Sequence, residues 1–153
     1  MGVAVCGGQE RDKPTWIACV AHVKVNRDTG EVSVLRMTLN VDCGTVVHPD
    51  GALAQVEGSS LWGVSLALHE GTRIENGQVA DTNLNTYTPL RMKDVPELDI
   101  AFAESTEHPT GLGEPSVIVA GPAIANAIFQ AVGVRVRDLP IRPEAILAGL
   151  AAG

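Results

Sequence analysis

Aromatic side chains are scarce. Phe, Trp and Tyr make up 3% of the 153 residues, while hydrophobic residues make up 45%. A core built from this composition is aliphatic and alanine-rich, and the length suits one domain or two small ones. Basic residues are also few: 11 Lys and Arg stand against 18 Asp and Glu, a formal net charge of -7. That balance argues against nonspecific attraction to nucleic acid or to an anionic membrane surface. No uninterrupted apolar run reaches the length of a membrane span, so no membrane insertion is expected. The amino-terminal stretch has no basic region followed by an apolar one. The expected compartment is therefore the cytoplasm, or the periplasm if a partner carries the chain there. Cys6 stands where a myristoylation signal needs Ser or Thr.

Metal and nucleophile signatures are missing as well. The three cysteines, Cys6, Cys19 and Cys43, are widely spaced and form no C-x-x-C pair, which argues against a zinc site or a thioredoxin-like motif. They read as mostly buried thiols. His22, His48, His69 and His108 show no H-E-x-x-H or H-x-H spacing, so no metal held by protein side chains is expected. There is no G-x-S-x-G, no phosphate-binding P-loop, no G-x-G-x-x-G opening a helix, and no Cys–His pair at an interpretable spacing.

What is present has a clear order. In residues 16–25, Ile17, Cys19, Ala21, Val23 and Val25 alternate with Ala18, Val20, His22 and Lys24, the pattern of a strand buried mainly on one side. A turn around Asp28 and Gly30 leads to a second strand over 32–44, giving an antiparallel hairpin. Pro49 and Asp50 suit a helix start. From there Leu53, Val56, Leu61, Val64, Leu66 and Leu68 predict a helix of about four to five turns. Gly58, Ser59, Ser60 and Gly63 make one side of it slim, as a close contact with another backbone or with a ligand requires. Asn76-Gly77 marks a tight hairpin. Residues 82–98 are polar and irregular, with Pro89 and Pro96, and predict a long ordered loop. A strand over 98–105 follows, then a helix opened by Pro122 and ended at Gly133. Residues 134–141 read as extended, with a short closing helix after them. No internal repeat or low-complexity linker is visible. The expected class is α+β: an antiparallel sheet with a long helix and a second helix packed on it.

One loop stands apart chemically. In T-G-L-G-E-P, residues 110–115, two glycines precede a lone carboxylate, Glu114, and a proline follows it. Pro115 pushes Glu114 toward an extended backbone, and glycine permits close approach. In a poorly hydrated pocket such a carboxylate suits a general base. On these grounds alone, a structural salt bridge or helix cap is the favoured explanation. Gln55 and Glu57, on the slim helix, read alone as ordinary exposed or hydrogen-bonding residues.

Taken together, three stretches resemble one family. They are V-D-C-G-T-V-V-H-P-D-G-A-L-A-Q-V-E-G at 41–58, N-L-N-T-Y-T-P-L-R-M-K-D-V-P-E-L-D-I at 83–100, and G-L-G-E-P-S-V-I-V-A-G-P-A-I-A-N-A-I from 111. They resemble the C-terminal end of the large, molybdenum-cofactor-binding subunit of the xanthine dehydrogenase and aldehyde oxidase family. The likeness is nearest to its isoquinoline 1-oxidoreductase β-subunit branch and related aldehyde dehydrogenases, and it spans about residues 16–142. The resemblance implies a molybdenum–molybdopterin cofactor, in the cytosine dinucleotide form. It implies that Glu114 is the catalytic base beside the molybdenum, that Gln55 contacts the pterin, and that Gly113 allows close approach. It also implies hydroxylation of an aldehyde or N-heteroaromatic substrate with oxygen from water.

The family's subunit is several times longer than this chain. Residues 1–153 are therefore expected to be a single C-terminal cofactor-binding subdomain, with the remainder of the large subunit and an iron–sulfur small subunit as partners. Most cofactor contacts are expected upstream, so this stretch alone should be inactive. His48 stands where relatives have asparagine, and Ser116 and Val117 where a second proline is common. The competing reading is a non-catalytic fragment that folds alone and self-associates.

Overall fold

The computed structural model describes residues 1–10 and 13–153. Six strands and three α-helices follow in order: β1 (Gly2–Glu10), β2 (Lys13–Val25), β3 (Val32–Asp42), α1 (Pro49–Leu68), β4 (Ile74–Glu75), β5 (Gln78–Val79), β6 (Glu97–Phe102), α2 (Pro115–Val132) and α3 (Pro143–Ala152). One sheet has the strand order β1-β2-β3-β6, and β4 and β5 form a separate small hairpin. This is the expected α+β class, with one refinement: β1–β2 and β2–β3 are antiparallel, but β3–β6 is parallel. The long connection through α1 makes that parallel return possible.

The predicted alternation of β2 holds. Ile17, Cys19, Ala21 and Val23 are buried, and they face Val34, Met37, Leu39 and Val41 of β3. The inward spacing on β3 skips from 34 to 37 because the register shifts there: Val23 pairs with Val34, but His22 pairs with Arg36. Leu35 is the extra residue of a bulge. At the predicted hairpin tip, Asn76 and Gly77 both have positive φ, 52° and 78°, as a two-residue primed turn demands.

Two sequence expectations are corrected. Residues 2–10, for which the sequence predicts no element, form the edge strand β1. Its glycines and small side chains hide the strand signal, and packing explains them. A Cβ at Gly2 would sit 2.0 Å from the Ala127 nitrogen on α2, so only a bare backbone fits there. The second correction concerns α2, which begins at Pro115 and runs through Pro122. Pro115 is preorganised for a first helical turn. Val119, Ala120, Ala123, Ile124, Ala127 and Ile128 then form one continuous buried stripe. That burial offsets the roughly 3 kcal/mol a helix-interior proline costs. Because the helix is continuous, α2 has the length and hydropathy of a membrane span, with half of it buried inside the fold.

The layers follow from these stripes. α2 lies across the inner face of β1 and β2, and α1 packs on α2. Gly63 is the contact point: a Cβ there would come 2.6 Å from Ala120 Cβ and 3.0 Å from the Val117 carbonyl oxygen. The slim side of α1 is thus divided, because Gly58 faces open space. Loop 82–96 is ordered, with one 3-10 turn at Met92–Asp94. It is pinned to the end of α1 by a Tyr87 hydroxyl bond to Glu70 and a Leu90 N–H bond to Ser65 Oγ at 2.8 Å.

Candidate functional site

Glu114 is the N-cap residue of α2, at the end of a loop held at several points. The Ala103 N–H donates to the Val41 carbonyl, and the Thr45 N–H to the Glu107 carbonyl. The Thr110 N–H donates to the Cys43 carbonyl at 2.8 Å. Gly44 has φ +70°, and a Cβ there would lie 2.2 Å from the His108 carbonyl oxygen. Only glycine serves at that crossing. The loop is therefore laid along the end of β3 before it reaches the G-L-G-E-P turn.

The turn itself is anchored from β2. Thr15 is fully buried, and its hydroxyl lies 2.6 Å from the Thr110 hydroxyl and donates to the Gly111 carbonyl. The sequence reading did not single out Thr15. The signal was present: Thr15 sits on the inward face of β2, in phase with the apolar run Ile17, Cys19, Ala21, Val23 and Val25. A buried hydroxyl there needs partners, and the loop supplies them. On the other side of the turn, the Cys6 thiol of β1 donates to the Pro115 carbonyl at 3.6 Å.

The helix α1 closes the arrangement. Gln55 Nε2 donates to the Gly113 carbonyl at 3.2 Å. Gln55 and Gly113, singled out from motifs 58 residues apart, are thus directly bonded, and Glu114 is the next residue. Glu57 is exposed on α1 and takes no part in this contact. Glu114 and Gly113 are exposed as well, so within this chain the carboxylate stands at a surface, not in the poorly hydrated pocket expected for it. Beside Gln55 opens a cleft of about 280 Å³, lined by Cys43, Val46, His48, Thr110 and Leu112 among others. His48 is the N-cap of α1, and its Nδ1 accepts the Gly51 N–H at 2.8 Å. An asparagine there would cap by the same kind of bond. Ser116 is buried, and Val117 packs at Gly63; neither lines the cleft.

The thiols near the site are poor nucleophiles. Burial raises Cys43 above the ordinary thiol value, with the neighbouring Asp42 charge adding to it, and burial raises Cys6. A thiol held protonated neither attacks nor ligates readily. What the site offers is an exposed carboxylate, an amide and a bare backbone, grouped on one edge of the molecule. Among the described residues no three His, Cys, Asp or Glu side chains converge on a point. A metal at this edge would therefore take its ligands from a bound cofactor or from further chain. The exposed amide and glycine backbone fit an organic cofactor with hydrogen-bonding edges.

Comparison with known proteins gives the family. The sequence profile of the molybdopterin cofactor-binding domain matches residues 4–96. The membrane-bound aldehyde dehydrogenase (pyrroloquinoline-quinone) of Gluconacetobacter polyoxogenes is 60% identical over 153 residues, all of this chain and 20% of the relative. The isoquinoline 1-oxidoreductase β-subunit of Brevundimonas diminuta is 36% identical over 127 residues, 83% of this chain and 16% of the relative. The crystal structure of quinoline 2-oxidoreductase from Pseudomonas putida 86 superposes with a TM-score of 0.81 at 25% identity, over 90% of this chain and 18% of that one. The chain thus spans a fifth or less of these relatives. With the profile covering more than half of the chain and the structural match covering nearly all of it, the chain belongs to the molybdopterin cofactor-binding domain family of xanthine dehydrogenase and aldehyde oxidase-type oxidoreductases.

Proposed function

We propose that this chain forms one wall of the active site of a molybdenum hydroxylase and is the C-terminal cofactor-binding subdomain of its large subunit. The observation that carries the reading is the Gln55–Gly113 hydrogen bond, which joins the two family motifs beside Glu114. In this reading the Gln55 amide and the Gly113 backbone meet the pterin edge of the cofactor. Glu114 is the general base that takes a proton from the water-derived nucleophile. The molybdenum cofactor, in its cytosine dinucleotide form, supplies the two-electron oxidation of a substrate C–H bond. The anchoring of the loop to Thr15 and Cys43 holds Glu114 in place. The rest of the large subunit closes over the exposed carboxylate and excludes water. An iron–sulfur small subunit takes the electrons.

The substrate is an aldehyde or an N-heteroaromatic ring, as the names of the relatives above indicate for those proteins. The relative from Gluconacetobacter polyoxogenes also carries a quinone cofactor and a membrane location in its name. Half of α2 is buried in the fold, so any membrane attachment of this protein would run through other chain segments or subunits.

The test is reassembly of this chain with the remainder of the subunit, followed by assay of molybdenum, quinone and turnover. Molybdenum without quinone is expected. Glu114→Gln is expected to cut turnover by about 100- to 10,000-fold at unchanged molybdenum content. Full turnover in Glu114→Gln, or quinone in place of molybdenum, would refute the reading. An assembly with neither cofactor would favour a non-catalytic fragment.

A further inference from the structure

The outer face of the sheet is divided into two chemically different halves. On β3 and β6 the outward residues are mostly polar, Arg36, Thr38, Asn40, Asp42, Glu97 and Asp99 with the small Ala101 beside them, and Arg36 and Asp99 form an ion pair at 2.9 Å. Where β1 pairs with β2 they are Val3, Val5, Gly7, Trp16, Ala18 and Val20; beyond that pairing β2 continues outward with the polar His22 and Lys24. The register places these opposite one another: Val3 against Val20, Val5 against Ala18, Gly7 against Trp16. A Cβ at Gly7 would lie 2.9 Å from the Trp16 ring, so the indole rests over the bare backbone of β1. The result is one flat apolar stripe without a formal charge. Val3, Val5 and Trp16 are 58%, 66% and 55% exposed.

An antiparallel sheet with a solvated face alternates apolar-in and polar-out. The β3–β6 half obeys that rule and the β1–β2 half does not. The apolar stripe also lies on the open edge strand, where unprotected hydrophobic residues invite pairing. The boundary between the halves is sharp: Val20 lies opposite Thr38, Ala18 opposite Asn40 and Trp16 opposite Asp42.

We infer that the β1–β2 outer face is the surface on which the remainder of the large subunit docks, through an uncharged apolar layer that ends at the β2–β3 boundary. This rests on the family reading above. The occupant follows from length: the chain makes up 20% and 16% of its two relatives, so most of the subunit must join this body somewhere. Because the stripe carries no charge, the contact is apolar and insensitive to salt.

The test is a chimera in which this chain replaces the matching stretch of the 60%-identical relative. Hydroxyl-radical footprinting of Trp16 is compared between chimera and isolated chain. Several-fold slower oxidation of Trp16 in the chimera is expected. Equal rates in both would overturn the inference. Protection of Trp16 in the isolated chain, rising with concentration together with a dimer in light scattering, would overturn it in favour of a second copy. A second arm adds the isolated chain in trans to the co-expressed remainder. Trp16→Glu is expected to weaken recovery of the complex by about 30-fold, the scale of losing a buried aromatic anchor, while Thr38→Lys on the polar half leaves it intact. Equal recovery of both variants would also refute the inference. Both positions are solvent-exposed here, so the melting temperature of each isolated variant serves as a folding control. A chimera without molybdenum but with Trp16 protected would sink the catalytic reading and keep this one. A molybdenum-loaded, active chimera with Trp16 exposed would do the reverse.

Discussion

At the scale of single residues, Glu114 and Gln55 carry different expectations. Glu114 is proposed to act only on the reacting atoms, so its loss should show in kcat at constant cofactor content. Gln55 bridges the helix and the loop, so Gln55→Ala should lower both molybdenum occupancy and loop order. Its own bond is worth about 0.5–1.5 kcal/mol, and cofactor content measured against Glu114→Gln separates the two roles. His48 gives a third expectation. As the N-cap of α1, His48→Ala should cost about 0.5–2 kcal/mol of stability and His48→Asn much less; chemical denaturation of the isolated chain reads both. Thr15→Val keeps the shape but strips the hydroxyl from Thr110 and Gly111. The Gly111 carbonyl then loses its buried donor, at about 1–3 kcal/mol. The same change should loosen the turn before Glu114, seen as faster amide exchange at 111–114.

At the scale of elements, the helix pair is set by one close approach and one misplaced proline. Gly63→Val would drive a branched side chain into Ala120 and the Val117 carbonyl. Overpacking of that kind costs about 1–3 kcal/mol, and the melting temperature should fall accordingly. Pro122 sits inside α2 on its exposed side. Pro122→Ala restores a backbone donor and should stabilise the isolated chain, by up to about 3 kcal/mol. The sequence placed the helix start at Pro122 because a proline is a standard opening signal. The structure places it at Pro115, because one buried stripe on both sides of Pro122 outweighs the local penalty. The consequence falls on Glu114, which becomes the N-cap residue of a long helix instead of a mid-loop residue.

At the scale of the whole molecule, Cys19 and the half-buried His69 make stability depend on pH. Burial pushes Cys19 up to about 12 from an unperturbed 9.0. Between those values the unfolded chain gives up a proton that the folded chain keeps. The stability that Cys19 contributes is therefore fully present below about pH 9 and is lost as pH rises toward 12. Burial of His69 moves it below its ordinary 6.5. The unfolded chain then binds the proton more readily, and stability falls as pH drops below that value. His69→Gln should flatten the acid side of the profile and Cys19→Ala the alkaline side, both read by thermal melting against pH. The same view explains why Glu114 is exposed here. In the proposed reading, a carboxylate exposed at the edge of a body that spans a fifth of its relatives is covered by the rest of the large subunit.

Local pattern alone determined much of this protein. Period-2 alternation in residues 16–25, the Asn76-Gly77 turn, the Pro49 start and the Gly133 cap are local rules, and each holds because neighbouring residues decide it. The pairing of Q-V-E-G with G-L-G-E-P was legible as a motif. Only the tertiary structure showed that Gln55 bonds Gly113, that Thr15 anchors the loop, that β1 exists and that β6 returns parallel. These depend on contacts between residues far apart in the chain. Gly2 reads as a breaker until α2 lies against it, and the inward Thr15 shows no partner until the loop closes over it. Close approach of distant backbones leaves no periodic trace in sequence, and at this site it decided the geometry.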